Sequence, residues 1–283
     1  MRVVTVGHVT NDRLAQAVHP GGGALYAGLA AVALGADVTL VTRAGPDFVG
    51  QRLFSHFQEV QALPSPRTTT FDERYQGEQR VVRLLARADT VDAPIPGADV
   101  VLLCPVADEV PDGALVARPT GLLAAGLQGW LRSFSTEGIC SPRPLGDTTR
   151  FAGCYLVSCS EEDLDGLGPE TLRALRDRVP VVAVTDGAAG ARVYSGTKAW
   201  RVAPLPVEAV ECTGAGDVFL ATLAVRLAGG ARLLEAASWA CCAGALTVTA
   251  VGPKGVQRLS ELSAAFERYT QEAPPAEAIT TEA

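Results

Sequence analysis

The chain has 283 residues, 48% of them hydrophobic and 19% charged, which fits one large α/β domain with a sizeable core and excludes a disordered chain. Its formal net charge of −7 argues against a nucleic-acid partner or an anionic membrane surface. Seven Cys without C-x-x-C spacing and three His without ligand-like spacing point to a cytoplasmic protein with reduced thiols and no zinc.

The N-terminus, Met1 to Gly7, is too short and too soon polar for a signal peptide. Val3 to Val6 is a β-branched run and predicts a buried strand. Asn11 and Asp12 follow at its carboxyl end, the edge at which open α/β sheets bind ligands. They are candidates for holding a polar substrate, and equally good turn residues. Gly21-Gly-Gly23 precedes a small-residue helix, Ala24 to Leu34, closed by Gly35. Val38 to Val41 predicts the next strand, and Gly45-Pro-Asp-Phe48 a turn into an amphipathic helix over Gln51 to Val60.

Residues 67–88 read as a β-hairpin with a charged face, turning near Gln76-Gly-Glu78, a plausible lid or pairing surface. Ala98 to Cys104 and Gly121 to Ala125 predict two more buried strands, and Gln128 lies just past the second. Residues 133–150 lack periodicity and read as a loop. Tyr155 to Cys159 predicts a strand with Glu161, Glu162 and Asp163 at its exit. Three carboxylates there suit Mg²⁺, directly or through water, and they equally suit a helix start capped by Ser160; the two readings are compatible. Val181 to Thr185 predicts a strand leading to Gly187 and Gly190, followed by a short antiparallel pair around Ser195-Gly196. The uncharged run 236–253 is rich in Ala, Gly and Cys, which suits a buried helix better than a membrane span.

Glu211-Cys-Thr-Gly-Ala-Gly-Asp217 opens a long apolar helix. Outward-pointing amides and the helix dipole at such a start favour an anion, and Gly214 and Gly216 remove obstructing Cβ atoms. With Asp217 in the first turn, the segment suits phosphoryl transfer to a hydroxyl: the amides stabilise the developing charge and Asp217 accepts the proton. Taken alone, the same segment is also an ordinary tight turn. The only lysines, Lys198 and Lys254, lie in no G-x-x-x-x-G-K-[ST] pattern, which argues against a P-loop. Strands alternating with helices predict a mostly parallel sheet covered on both faces.

Two signatures in the right order resemble the ribokinase-like, or PfkB, carbohydrate kinases: Gly22 to Gly35 with Gly45 to Phe48, and Glu211 to Phe219. The resemblance implies a ribokinase-like α/β fold over residues 1–271, with lid elements near 8–20 and 67–88 and a flexible tail at 272–283. It implies an ATP-dependent kinase with Mg²⁺ and a monovalent cation, acting on a sugar or polyol. Asp12, Gly22 and Gly23 would hold the acceptor, with Asn11 and Gln128 beside them. Thr185, Gly187 and Gly190 would lie on the nucleotide side, and Cys241 to Ala245 would complete the adenine pocket. Thr213 to Gly216 would cradle the phosphate, with Gly214, Ala215 and Gly216 as the anion hole and Asp217 as base. Ser160 and Asp163 stand where the family's N-x-x-E motif has Asn and Glu, and Glu211 where its signature has Asp. His8, Glu109, Gln128, Trp130, Arg132 and Glu162 together look most like an inositol-kinase-like branch. The alternatives are a catalytically silent nucleotide or polyol sensor, or a vitamin or pyrimidine kinase on the same fold. The lid hairpin offers a homodimer surface.

Overall fold

The computed structural model describes all residues except 15–16, 77–78, 117–120, 166 and 281–283. Its strands are β1 (Arg2–Val6), β2 (Thr10–Leu14), β3 (Ala17–Gly21), β4 (Asp37–Ala44), β5 (Glu59–Pro64), β6 (Thr69–Gln76), β7 (Gln79–Ala86), β8 (Val100–Leu103), β9 (Leu122–Gly126), β10 (Arg132–Phe134), β11 (Cys140–Pro142), β12 (Leu156–Ser160), β13 (Val181–Thr185), β14 (Ala191–Ser195), β15 (Lys198–Val202) and β16 (Glu277–Ala278). Its helices are α1 (Gly23–Ala33), α2 (Gly113–Val116), α3 (Glu161–Leu164), α4 (Pro169–Arg176), α5 (Ala215–Ala228), α6 (Leu233–Thr247), α7 (Lys254–Gln257) and α8 (Leu262–Glu272).

One ten-stranded sheet runs β16-β15-β14-β13-β12-β9-β8-β1-β4-β5. From β5 to β13 every pair is parallel, and β14, β15 and β16 continue antiparallel. The parallel strands are apolar at successive residues because both faces are buried. Val3 packs into the core beneath α1, α5 and α6, and Val4 and Val6 into the opposite core around Trp130, Phe151 and Leu175. Val100 and Leu102 alternate in the same way with Val101 and Leu103.

A second sheet, β3-β2-β6-β7, stands apart from the first and holds the segments expected as the lid. The expected hairpin is β6 and β7, which pair antiparallel from Thr70↔Ala86 to Gln76↔Gln79; the expected turn at 77–78 lies outside the described residues. Half of this sheet differs from the sequence reading. Asn11 and Asp12 are in β2, paired with β3 and with β6, rather than in a loop. Their turn-forming chemistry yields to backbone pairing with β6.

Three other segments differ. Gln51–His56 is a short 3₁₀ helix of two turns, and Glu59–Pro64 becomes β5 along the edge of β4, because the unpaired edge recruits it. The segment expected as a loop at 133–150 contains the β10–β11 hairpin, whose strands are too short to show a period. At the C-terminus, Glu277 and Ala278 pair with Arg201 and Trp200, so this stretch is a sheet edge rather than a frayed tail. Among the described residues no helix is long and apolar enough to cross a membrane; the uncharged run 236–253 contributes most of α6.

Candidate active site

A cavity of about 600 Å³ opens at the carboxyl ends of β9, β12 and β13, under the lid and in front of α5. It collects nearly every expected site residue: Asp12, Gly22 and Gly23; Gln128; Glu162 and Asp163; Thr185, Gly187 and Gly190; Thr213 to Asp217; and Cys241 and Ala245. Asn11 is the exception. Its amide donates to the Asp47 carbonyl (3.0 Å) and its oxygen accepts from the Val49 N–H (3.1 Å), so it fastens the turn before the Gln51–His56 segment. Alternation along β2 sends Thr10 and Asp12 into the cavity and Asn11 to the other side.

α5 begins at Gly214, whose φ of 81° is left-handed and suits glycine. Any Cβ there would lie 2.3 Å from the Tyr26 ring, so Tyr26 is packed directly beneath the turn. Burial and the surrounding carboxylates, Glu211 foremost, hold the Tyr26 phenol far above its ordinary pKa, and it stays neutral. Glu211 accepts from the Thr213 N–H (2.5 Å) and the Gly252 N–H (3.0 Å). The Thr213 amide expected to face a phosphate is therefore already engaged. The anion site falls to the first-turn amides of α5, which have no intrahelical partner. Glu in place of the signature's Asp supplies two oxygens with enough reach to join two turns.

Asp217, in the first turn of α5, is partly buried in the cavity wall, and its Oδ1 would lie 2.7 Å from a Cβ placed on Gly23. Only a glycine lets the floor of the cavity approach that carboxylate. Burial, followed by the nearby Asp163, raises the Asp217 pKa from 3.8 to about 7, and Arg132 opposes the shift. A carboxylate poised there is a competent proton acceptor near neutral pH.

The three acids after β12 separate. Glu161 turns outward to Arg192. Asp163 closes a capping box, exchanging 3.0 Å hydrogen bonds with Ser160 at the start of α3, and lies 3.5 Å from Arg132. Glu162 and Asp163 line the cavity. Among the described residues no three acidic, His or Cys side chains form a metal cluster, so the direct three-carboxylate reading fails.

Residues without an assigned role in the sequence reading complete the site. Arg132 is the one cation among the described lining residues, which also include the acids Asp12, Glu73, Glu162, Asp163 and Asp217. Trp130, fully buried against Phe151 with its indole donating to the Val110 carbonyl (3.3 Å), anchors the segment that carries it. Glu73 enters from β6 two residues after Phe71, a placement that strand alternation in the hairpin already contained. Tyr26 gave no sequence signal beyond lying just after the glycine pair. His8 and Glu109 are structural. The Glu109 carboxylate, wholly buried, accepts from the backbone amides of His8 (2.9 Å), Val106 (3.0 Å) and Ala107 (2.7 Å), and so ties the ends of β1 and β8 together.

A central parallel sheet, a separate lid sheet and a helix-start cleft between them define the ribokinase fold. A pyrophosphate-dependent kinase in the ribokinase family, solved with a pyrophosphate analogue and myo-inositol, matches with a TM-score of 0.79 at 23% identity, over 91% of this chain and 98% of that one. A related structure, a pyrophosphate-dependent myo-inositol-1 kinase converted into a myo-inositol-3 kinase by substituting leucine at two positions eleven residues apart, matches at 0.76 and 22% identity over the same shares. The profile for "pfkB family carbohydrate kinase" matches residues 148–257. The chain carries a PfkB carbohydrate kinase domain. Inositol 3-kinase from Zea mays is 30% identical over 243 residues, 79% of this chain. The chain spans 63% of that relative's length.

Proposed function

We propose that the protein is an ATP-dependent kinase that phosphorylates a hydroxyl of a cyclitol-like polyol, with Asp217 as general base. The observation that carries this reading is the placement of Asp217: in the cavity wall, at the start of α5, and against the Gly23 floor. As the acceptor oxygen bonds to the γ-phosphorus, Asp217 takes the hydroxyl proton. The bond from that phosphorus to the β–γ bridging oxygen breaks, and ADP leaves. The α5 amides hold the transferring phosphoryl group, and Arg132 offsets its charge.

Asp12, Gln128 and Gly22 support the acceptor side. The donor side is supported by an apolar slot among Pro204, Pro206, Val207, Ala245 and Val248, suited to a nucleobase and of no use to pyrophosphate. Thr185, Gly187 and Gly190 form its near edge. With so many lining carboxylates, an incoming triphosphate needs countercharge. Mg²⁺ fits through water at Glu162 and Asp163, with the phosphates as its main ligands, and supplies charge neutralisation. The 3-hydroxyl is favoured because the Zea mays relative is an inositol 3-kinase. A second copy would pair through the lid sheet, where Val18 and Leu85 are exposed.

The test is turnover by the purified protein across inositols, pentoses, hexoses, sugar acids and nucleosides, with ATP·Mg²⁺ and pyrophosphate·Mg²⁺ as donors. Release of ADP with a cyclitol is expected. Binding of ATP and cyclitol without turnover would make the protein a sensor, and turnover with pyrophosphate alone would reassign the donor.

A further inference from the structure

The lid meets the cavity with one face, and the side chains on that face are ordered. Asp12 of β2 pairs with Phe71 of β6, and Glu73 of β6 pairs with Val82 of β7. All four line the cavity. Paired residues project to the same side of a sheet, as do residues two apart on one strand. The acids therefore form one oblique row and the apolar pair the adjacent row. The apolar row is stiff: Phe71 packs against Phe134 with ring centroids 5.9 Å apart, in a cluster with Val106 and Val82.

We propose that the Phe71–Val82 row selects which hydroxyl of a cyclitol faces Asp217, an inference that rests on the kinase reading above. A mirror plane makes the 1- and 3-hydroxyls of myo-inositol alike in everything but handedness. No contact to the reacting oxygen alone tells them apart. The two poses differ in the side on which the neighbouring axial hydroxyl falls. A hydroxyl pressed onto Phe71 and Val82 loses water and finds no partner, whereas one turned to Asp12 and Glu73 finds acceptors. An acidic row beside an apolar row is thus a handed surface, and it admits one pose.

The experiment is chiral-phase chromatography of the monophosphate formed from myo-inositol and ATP·Mg²⁺. The wild type is expected to give the 3-phosphate in excess. Val82→Ser, which leaves the Phe71–Phe134 contact in place, and the double variant Phe71→Asn/Val82→Ser are expected to move the isomer ratio about tenfold or more toward the 1-phosphate. Phe71→Leu/Val82→Leu is expected to keep the wild-type ratio. An unchanged ratio in Val82→Ser and the double variant, with only a lower kcat/KM, overturns the inference and leaves the kinase reading standing. A wild type that phosphorylates no cyclitol removes the kinase reading and this inference together.

Discussion

Asp217 must be dry enough to hold a phosphoryl group away from water and basic enough to take a proton, and burial serves both requirements. With its pKa raised to about 7, kcat/KM is expected to climb with unit slope up to about that pH and then level off. Arg132 lowers this pKa, so Arg132→Met should displace the acid limb upward; an unmoved limb would show that Arg132 does not act on Asp217. Asp217→Asn should cut kcat by roughly 10²–10⁴ with little change in ATP affinity. The stability effect has the opposite sign. The folded chain holds the Asp217 proton more tightly than the unfolded chain, so ionisation destabilises the fold as pH rises from 3.8 through about 7. Asp217→Asn should therefore raise Tm at pH 8 and hardly at all near pH 4, which paired thermal melts would read.

Elements that the sequence announced are those whose local pattern and tertiary role agree. The strands β1, β8 and β13 are β-branched or leucine-rich because both faces are buried, and α5 begins where Gly214 must adopt a left-handed φ. β2 was hidden because Thr10, Asn11 and Asp12 carry turn chemistry, and only pairing with β6 makes them a strand. The same limit applied to the site. The α5 turn is contiguous and could be read directly, whereas Glu73 and Tyr26 reach it through folding of separate segments. Glu211 illustrates an intermediate case: its departure from the family's Asp was visible, but its bridge to Gly252 was not. Glu211→Ala leaves two backbone amides without an acceptor at the helix start. It should raise the KM for ATP by about tenfold or more while sparing the polyol KM, as initial-rate kinetics would show.

At the scale of the molecule, the central sheet and the smaller lid sheet line one cavity from opposite sides. The central sheet is packed on both faces; the lid joins the rest through one small apolar cluster of Phe71, Val106 and Phe134 and through hydrogen bonds such as those of Asn11. Amide exchange in β2 and β6 should therefore slow markedly when ATP analogue and polyol are bound together, with β1 and β8 unchanged. Equal protection everywhere would mean that the lid does not open independently.

Glu211 also has a consequence for how the two halves of the cavity communicate. Its carboxylate joins the turn before α5 to the Gly252 turn, which lies on the side of His19 of β3. The phosphate turn and the Gly252 turn thus share one mounting point, the Glu211 carboxylate. Whatever free energy passes through it is subject to thermodynamic reciprocity: a donor that tightens polyol binding by some factor is itself bound tighter by the polyol by the same factor.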